Sequence, residues 1–271
     1  MPQFAAEIEP LSMVIGIGGM NVRVNTIDSG FLHMLEERYA GFVTSSDKAE
    51  IEFDVDLEAP CSLDPEADVE VARADGRWTL QRGDFRAVWE PALGRGSIRQ
   101  SANPYSIDAV LRIVHTLMLA RQGGFLLHSA SAIRNGKAFL FAGMSEAGKT
   151  TISRLAPADV TLLTDEISYV RKQQTTYVAW GTPFTGELAK LGENVFATVG
   201  ALYFLAKGTE NRIDPVSTGE AARSLLANLL FFAEDEELVQ LIFHSALEFV
   251  SRVPVARLTF VPDARIWELI G

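Results

Sequence analysis

Gly143, Gly148, Lys149 and Thr150 stand in the spacing Gly-x-x-x-x-Gly-Lys-Thr, within FAGMSEAGKTT. That spacing suits a phosphate. Glycines let the backbone curl until successive N–H groups point inward, lysine adds a point charge for β- and γ-phosphates, and the threonine hydroxyl serves Mg²⁺. The expected grip covers Gly143, Met144, Ser145, Glu146, Ala147, Gly148, Lys149, Thr150 and Thr151. Two carboxylates, Asp165 and Glu166, close the apolar run TLLT. Mg²⁺ is a hard cation that takes oxygen ligands together with nucleotide phosphates, so acids at a strand end beside such a loop are what it requires. Fifteen residues lie between Lys149 and Asp165, room for one brief helix before an adjacent strand returns to the site. In the common nucleoside triphosphatases the acidic strand lies several dozen residues further on, so a different architecture is expected. His128, in LLHSASA, sits one strand before the loop and is placed to face the same pocket. The plain alternatives are a chance glycine turn, a surface acid pair and a core histidine.

These residues need particular elements around them. AFLFA supplies an apolar strand before the loop and KTTISRLA a short helix after it, the order in which such a loop works. FLLHSASAIRNGKAFLFAG reads as two strands joined at Asn135-Gly136, a hairpin dipeptide. DVTLLTDEISYV reads as one strand, and TYVAWG, ALYFLAKG and VARLTFVP as others. Helices are expected from about Thr218 to Phe232, from Asp235 to Val250, and briefly over DARIWELI. YSIDAVLRIVHTLMLARQGG is a helix by its three- and four-residue apolar steps at Ile107, Val110, Leu111, Val114, Leu117 and Met118, stopped by Gly123-Gly124. Before it the chain reads as strands. AEIEFDVDL alternates at period two, GRWTLQRGDFRAVWEP turns at Arg82-Gly83-Asp84, and SGFLHMLEERYAGF is the single helical candidate there. GSIRQSANP has turn chemistry without periodicity, which places a boundary after residue 102. The expected domains are a β-rich 1–102 and an α/β 103–271. GIGGMNV lacks the third glycine of a dinucleotide fingerprint, since position 21 is Asn21, and reads as strand and turn.

Composition excludes several classes. With 271 residues, 48% hydrophobic and 22% charged, the chain describes an ordinary folded soluble protein. No apolar run approaches the roughly 20 residues that cross a bilayer. The first residues, MPQFAAEIEP, are acidic and lack the layout of a secretion signal, so a cytoplasmic location is expected. The lone Cys61 fits a reducing compartment. A net charge of −11 argues against nucleic acid as a partner, because phosphate backbones are met with clustered lysine and arginine.

Taken together, GGFLLHSASA, FAGMSEAGKTT, LLTDEISYV and GTPFTGE resemble the HPr kinase/phosphorylase group, which shares its nucleotide site with phosphoenolpyruvate carboxykinase. The resemblance is nearer to HPr-kinase-like proteins encoded beside peptide-modification genes, and covers about Ser101 to Gly271. It implies an α/β (α+β) fold: a P-loop core on a mixed sheet behind a small β-rich N-terminal domain. It also implies ATP with Mg²⁺ at the loop. Asp165 would accept the proton of a substrate serine, Glu166 would help Thr150 and Asp165 place the metal, and His128 would sit near the transferred phosphate beside Lys149. The group carries Asp-Asp where this chain has Asp165-Glu166, and Glu146 is an unexpected acid in the loop. No equivalent of the phosphorylase loop is found. Arg212 and Arg223 are candidates to stabilise the transferring group, and GTPFTGE for a mobile loop. The expected activity is phosphorylation of a serine in a protein or peptide, with self-association plausible. Two rivals are a non-catalytic nucleotide-binding regulatory module and a small-molecule kinase or carboxykinase-like enzyme.

Overall fold

A computed structural model describes residues 10–59, 67–186, 188 and 192–271. The expectations for Cys61, for the first nine residues and for Glu187 fall outside these. Chain contacts divide the molecule into two compact units, Met1–Leu111 and Arg112–Gly271.

Among the described residues the first unit is one mixed eight-stranded sheet with one helix before its closing stretch. Its elements are β1 (Leu11–Ile17), β2 (Met20–Thr26), α1 (Ser29–Arg38), β3 (Val43–Thr44), β4 (Ile51–Leu57), β5 (Glu70–Ala74), β6 (Arg77–Arg82), β7 (Phe85–Glu90) and β8 (Arg95–Gln100), in the order β3-β1-β2-β4-β8-β7-β6-β5. GIGGMNV turns β1 into β2, with Gly18 and Gly19 at φ +62° and +75°, the left-handed pair that a two-residue hairpin demands. α1 starts where Asp28 accepts the Phe31 N–H at 2.7 Å. The stretch expected to be a turn, GSIRQ, is instead a strand, β8, lying between β4 and β7. Its period is hidden by Gly96: a side chain there would stand 2.4 Å from the ring of Phe53, so the neighbouring strand's phenylalanine fills a place the sequence leaves blank.

α2 (Pro104–Arg121) carries the chain across the division at Arg112. The second unit follows with β9 (Phe125–Arg134), β10 (Lys137–Ala142), α3 (Lys149–Arg154), β11 (Thr161–Thr164), β12 (Ile167–Gln173), β13 (Thr176–Trp180), β14 (Phe196–Lys207), β15 (Arg212–Pro215), α4 (Thr218–Leu226), β16 (Leu229–Leu230), α5 (Glu236–Arg252), β17 (Val255–Phe260) and a 3₁₀ turn over Ala264–Leu269. This too is a mixed sheet, ordered β10-β9-β12-β13-β14-β17-β15 with β11 and β16 both on β9. Because β10 also pairs in parallel with β14, the hydrogen bonding runs through five strands and back to β10. Long β9 makes this possible by pairing with β12 through its first half and with β10 through its second.

Under the loop that leaves β10 lies an apolar cluster. Phe141 stacks on Tyr203 at 5.9 Å and meets Trp267 edge-on at 5.5 Å, and the Trp267 indole donates to the Ile152 carbonyl of α3. The terminal turn is thereby bolted beneath the short helix, which is too brief to be stable alone. Two expectations change here. The helix from Thr218 ends at Leu226, where the Asn228 side chain caps the Ser224 carbonyl at 2.8 Å and Leu229-Leu230 turn into a strand on β9. The strand expected over DVTLLTDEISYV breaks at Asp165-Glu166 into β11 and β12, with a register shift between Leu162 and Thr164. No helix among the described residues is long and apolar enough to cross a membrane.

Candidate phosphate-binding cleft

The loop between β10 and α3 is shaped by two glycines with separate reasons. At Gly143 a Cβ would come within 2.6 Å of the Ala147 Cβ, so the loop can close on itself only without a side chain. Gly148 stands at φ +111°, and a Cβ there would meet the Phe260 ring at 2.6 Å, a double exclusion of any other residue. Glu146 also adopts a left-handed backbone, φ +64°, and its side chain is exposed at the rim. Non-glycine residues held this way concentrate at functional sites. Lys149 is 7% exposed, and its ammonium donates to the Gly143 and Met144 carbonyls at 2.9 and 3.3 Å. Its charge is therefore held inside the curl of the loop.

The break between β11 and β12 sends the two acids to different places. The Thr164 hydroxyl organises it, accepting the N–H groups of Glu166 and Ile167 and donating to the Phe184 carbonyl. Asp165 turns inward. It is 1% exposed, and its two carboxylate oxygens accept the Gly186 and Leu188 N–H groups at 2.9 Å each. Glu166 turns into the cleft, where the His128 Nε2 lies 3.1 Å from its carboxylate. That hydrogen bond, helped by the charges of Lys149 and Arg112 and opposed by burial, holds the Glu166 carboxyl below the usual carboxylate range. Gly186 packs against both acids: a Cβ there would stand 2.6 Å from Glu166 Oε2 and 3.1 Å from Asp165 Oδ2.

The cleft these groups line has a volume of about 860 Å³. Ser145 to Thr151, His128 and Glu166 all border it, so the structure gathers most of the residues that the sequence nominates. Gly143, Met144 and Asp165 do not border it; Met144 is 83% exposed and Asp165 is buried. The stretch GTPFTG is anchored rather than loose. Gly181 and Thr182 bond through their N–H groups to Val195 and Leu163, the Thr182 hydroxyl bonds to Ile167, and Phe184 is fully buried.

Sequence reasoning missed Arg112. It lines the cleft from α2 with its guanidinium 5.0 Å from the centre of the Phe184 ring. Neither expected arginine is there: Arg212 pairs with Glu210 and Asp214 on the edge strand β15, and Arg223 is exposed on α4. Nothing in the spacing of α2 distinguishes Arg112 from a solvated helix arginine; only its position against Phe184 does.

For a cation, the described residues hold no cluster of three or more His, Cys, Asp or Glu side chains. Mg²⁺ does not need one, since it is commonly held by one or two side-chain oxygens together with phosphates and water. Thr150 and the ionised Glu166 border one cleft and are hard oxygen donors, so this donor set fits Mg²⁺.

Comparison with known proteins adds a family. A solved structure, the Hpr(Ser) kinase/phosphatase from Coxiella burnetii, matches at 10% identity over 50% of this chain and 84% of that one, with a TM-score of 0.26, a likeness from which nothing follows for this fold. No curated protein matches the chain. The family model described as SynChlorMet cassette protein ScmC matches residues 99–271. That span takes in α2, the loop and both acids, well over half of the chain, and the chain therefore belongs to the ScmC family of SynChlorMet cassette proteins.

Proposed function

We propose that this chain is an ATP- and Mg²⁺-dependent kinase that transfers the γ-phosphate to a serine hydroxyl of a peptide or protein. One observation carries the proposal: a single cleft is bordered by the glycine loop with Lys149 and Thr150, by the Glu166–His128 pair and by Arg112. Phosphoryl transfer asks for positioning and charge stabilisation more than for covalent help from the protein, and these are the groups that give it. Thr150 and Glu166 would hold Mg²⁺, which supplies neutralisation of phosphate charge. Lys149 reaches the phosphates by exchanging its two loop carbonyls for them. As the acceptor oxygen bonds to the γ-phosphorus and the bond to ADP breaks, the serine proton passes to a carboxylate. Asp165 takes that part in the HPr kinase resemblance. Here it does so only after Gly186 and Leu188 give up their hydrogen bonds to it.

That enclosure of Asp165 favours one second reading, a nucleotide-binding module without transfer. Membership in a family of cassette proteins leads us to infer a co-encoded peptide as the acceptor. The test is incubation of the protein with Mg²⁺, labelled ATP and the peptides encoded beside it. Label on a serine, lost in Lys149→Ala, is the expected result. Bound ATP without transfer to any of those peptides selects the module instead.

A further inference from the structure

We propose that Arg112 is the cation that meets the γ-phosphate, and that the ring of Phe184 is the platform that aims it. This inference rests on the nucleotide reading above and deepens it, because it makes the cleft selective for a nucleoside triphosphate over a diphosphate.

The platform is built before the ligand comes. Phe184 is fully buried, and its carbonyl accepts the Thr164 hydroxyl. Two residues upstream, the Thr182 side chain is tied to Ile167. Downstream, the Gly186 and Leu188 amides are tied to Asp165. The ring is therefore pinned on both sides, by the same residues that shape the acid pair. A guanidinium lying over such a ring keeps its planar face on the π-cloud and presents N–H donors from its edges, a geometry suited to phosphate oxygens. An ammonium has no such fork.

Position supplies the selectivity. Lys149 arises from the loop and is gathered into it by the Gly143 and Met144 carbonyls. Arg112 arises from α2, a separate element, yet borders the same cleft, and its charge is one of those that reach the Glu166 carboxyl. ATP carries one more negative charge than ADP, on the outermost phosphate. A cation that enters the cleft from outside the loop meets that phosphate, the one furthest from the loop amides. The loop amides serve the phosphates the two nucleotides share, and Lys149 spans the β- and γ-phosphates, so Arg112 adds a second cation at the outermost one.

The test is calorimetric titration of the full chain with Mg²⁺–ADP and with Mg²⁺–β,γ-imido-ATP, which needs no acceptor. Arg112→Ala should leave ADP affinity within about twofold and weaken the imido-ATP complex by about tenfold or more, the scale of a lost charge-assisted pair. Millimolar guanidinium ion added to that variant should restore part of the loss. Arg112→Lys, which keeps the charge and a long alkyl stem, should recover less than half of the lost selectivity because it lacks the fork. Equal weakening of both nucleotides, or of neither, overturns the inference while leaving the nucleotide reading intact. A wild-type chain that binds neither nucleotide takes down both.

Discussion

Replacing Asp165 by Asn tests whether that acid is a structural fastener. In the folded chain its two oxygens accept the Gly186 and Leu188 N–H groups, each at 2.9 Å, from a side chain 1% exposed. Asparagine keeps one oxygen and turns the other into an NH₂, so one N–H faces a donor. The change removes one hydrogen bond to a charged group, worth about 1.5–3 kcal/mol, and leaves an N–H without its partner, costing about 1–3 kcal/mol. Partial relaxation of the segment reduces the sum, and a local loss of about 2–4 kcal/mol is expected. Global unfolding is a poor gauge of it, because a chain of two compact units need not unfold in one step. Amide hydrogen exchange reads the segment directly. Every 1.4 kcal/mol is tenfold, so the Gly186 and Leu188 amides should exchange about thirty- to several-hundred-fold faster in the variant. A residue that acted only as a proton acceptor would leave those rates unchanged. Wild-type amides that are already unprotected, or rates that do not move on substitution, would refute the fastener.

Two further outcomes follow from the same geometry. Burial alone pulls the fully enclosed His115 from its ordinary 6.5 down to about 4. The unfolded chain thus binds the extra proton between those values, so stability is fully present above about 6.5 and falls as pH drops toward 4. The loss between pH 7 and pH 5 should be about 2 kcal/mol, read from the urea transition of the Arg112–Gly271 unit that holds His115, and His115→Gln should flatten that slope. Gly148→Ala places a Cβ at φ +111° against the Phe260 ring and should cost about 2–3 kcal/mol, lowering the melting transition of the Arg112–Gly271 unit by roughly 5–10 °C. Gly219→Ala in α4, where a Cβ would meet nothing within 4 Å, is the matched control and should leave stability equal or raise it by up to about 1 kcal/mol.

Much of the cleft could be read from the chain because its signals are local. The loop's glycines, the strand before it and the helix after it occupy one continuous stretch, Lys137 to Arg154, where turn chemistry and periodicity are written residue by residue. His128 was legible for the same reason: the Asn135-Gly136 hairpin, with both residues at positive φ, fixes β9 beside β10. Strand β8 was not legible, because the residue that completes its period is Phe53, on another strand. Strand β16 was hidden by a sequence equally good for helix, and was decided by pairing with Leu126 and Leu127.

By itself, then, the sequence determined that a glycine loop joins a strand to a short helix, that an acid pair follows it closely and that a histidine strand lies alongside. These depend on neighbours within a few residues or on one tight turn. Only the tertiary structure decided how the acid pair divides. Alternation along a strand says that Asp165 and Glu166 diverge, but not which one faces the cleft; a register shift on β9 and two amides from beyond Phe184 made that choice. It also decided which arginine borders the cleft. Arg112 joins the cleft because a ring from a segment more than seventy residues away lies beneath it, and packing between distant segments leaves no period in the chain to read.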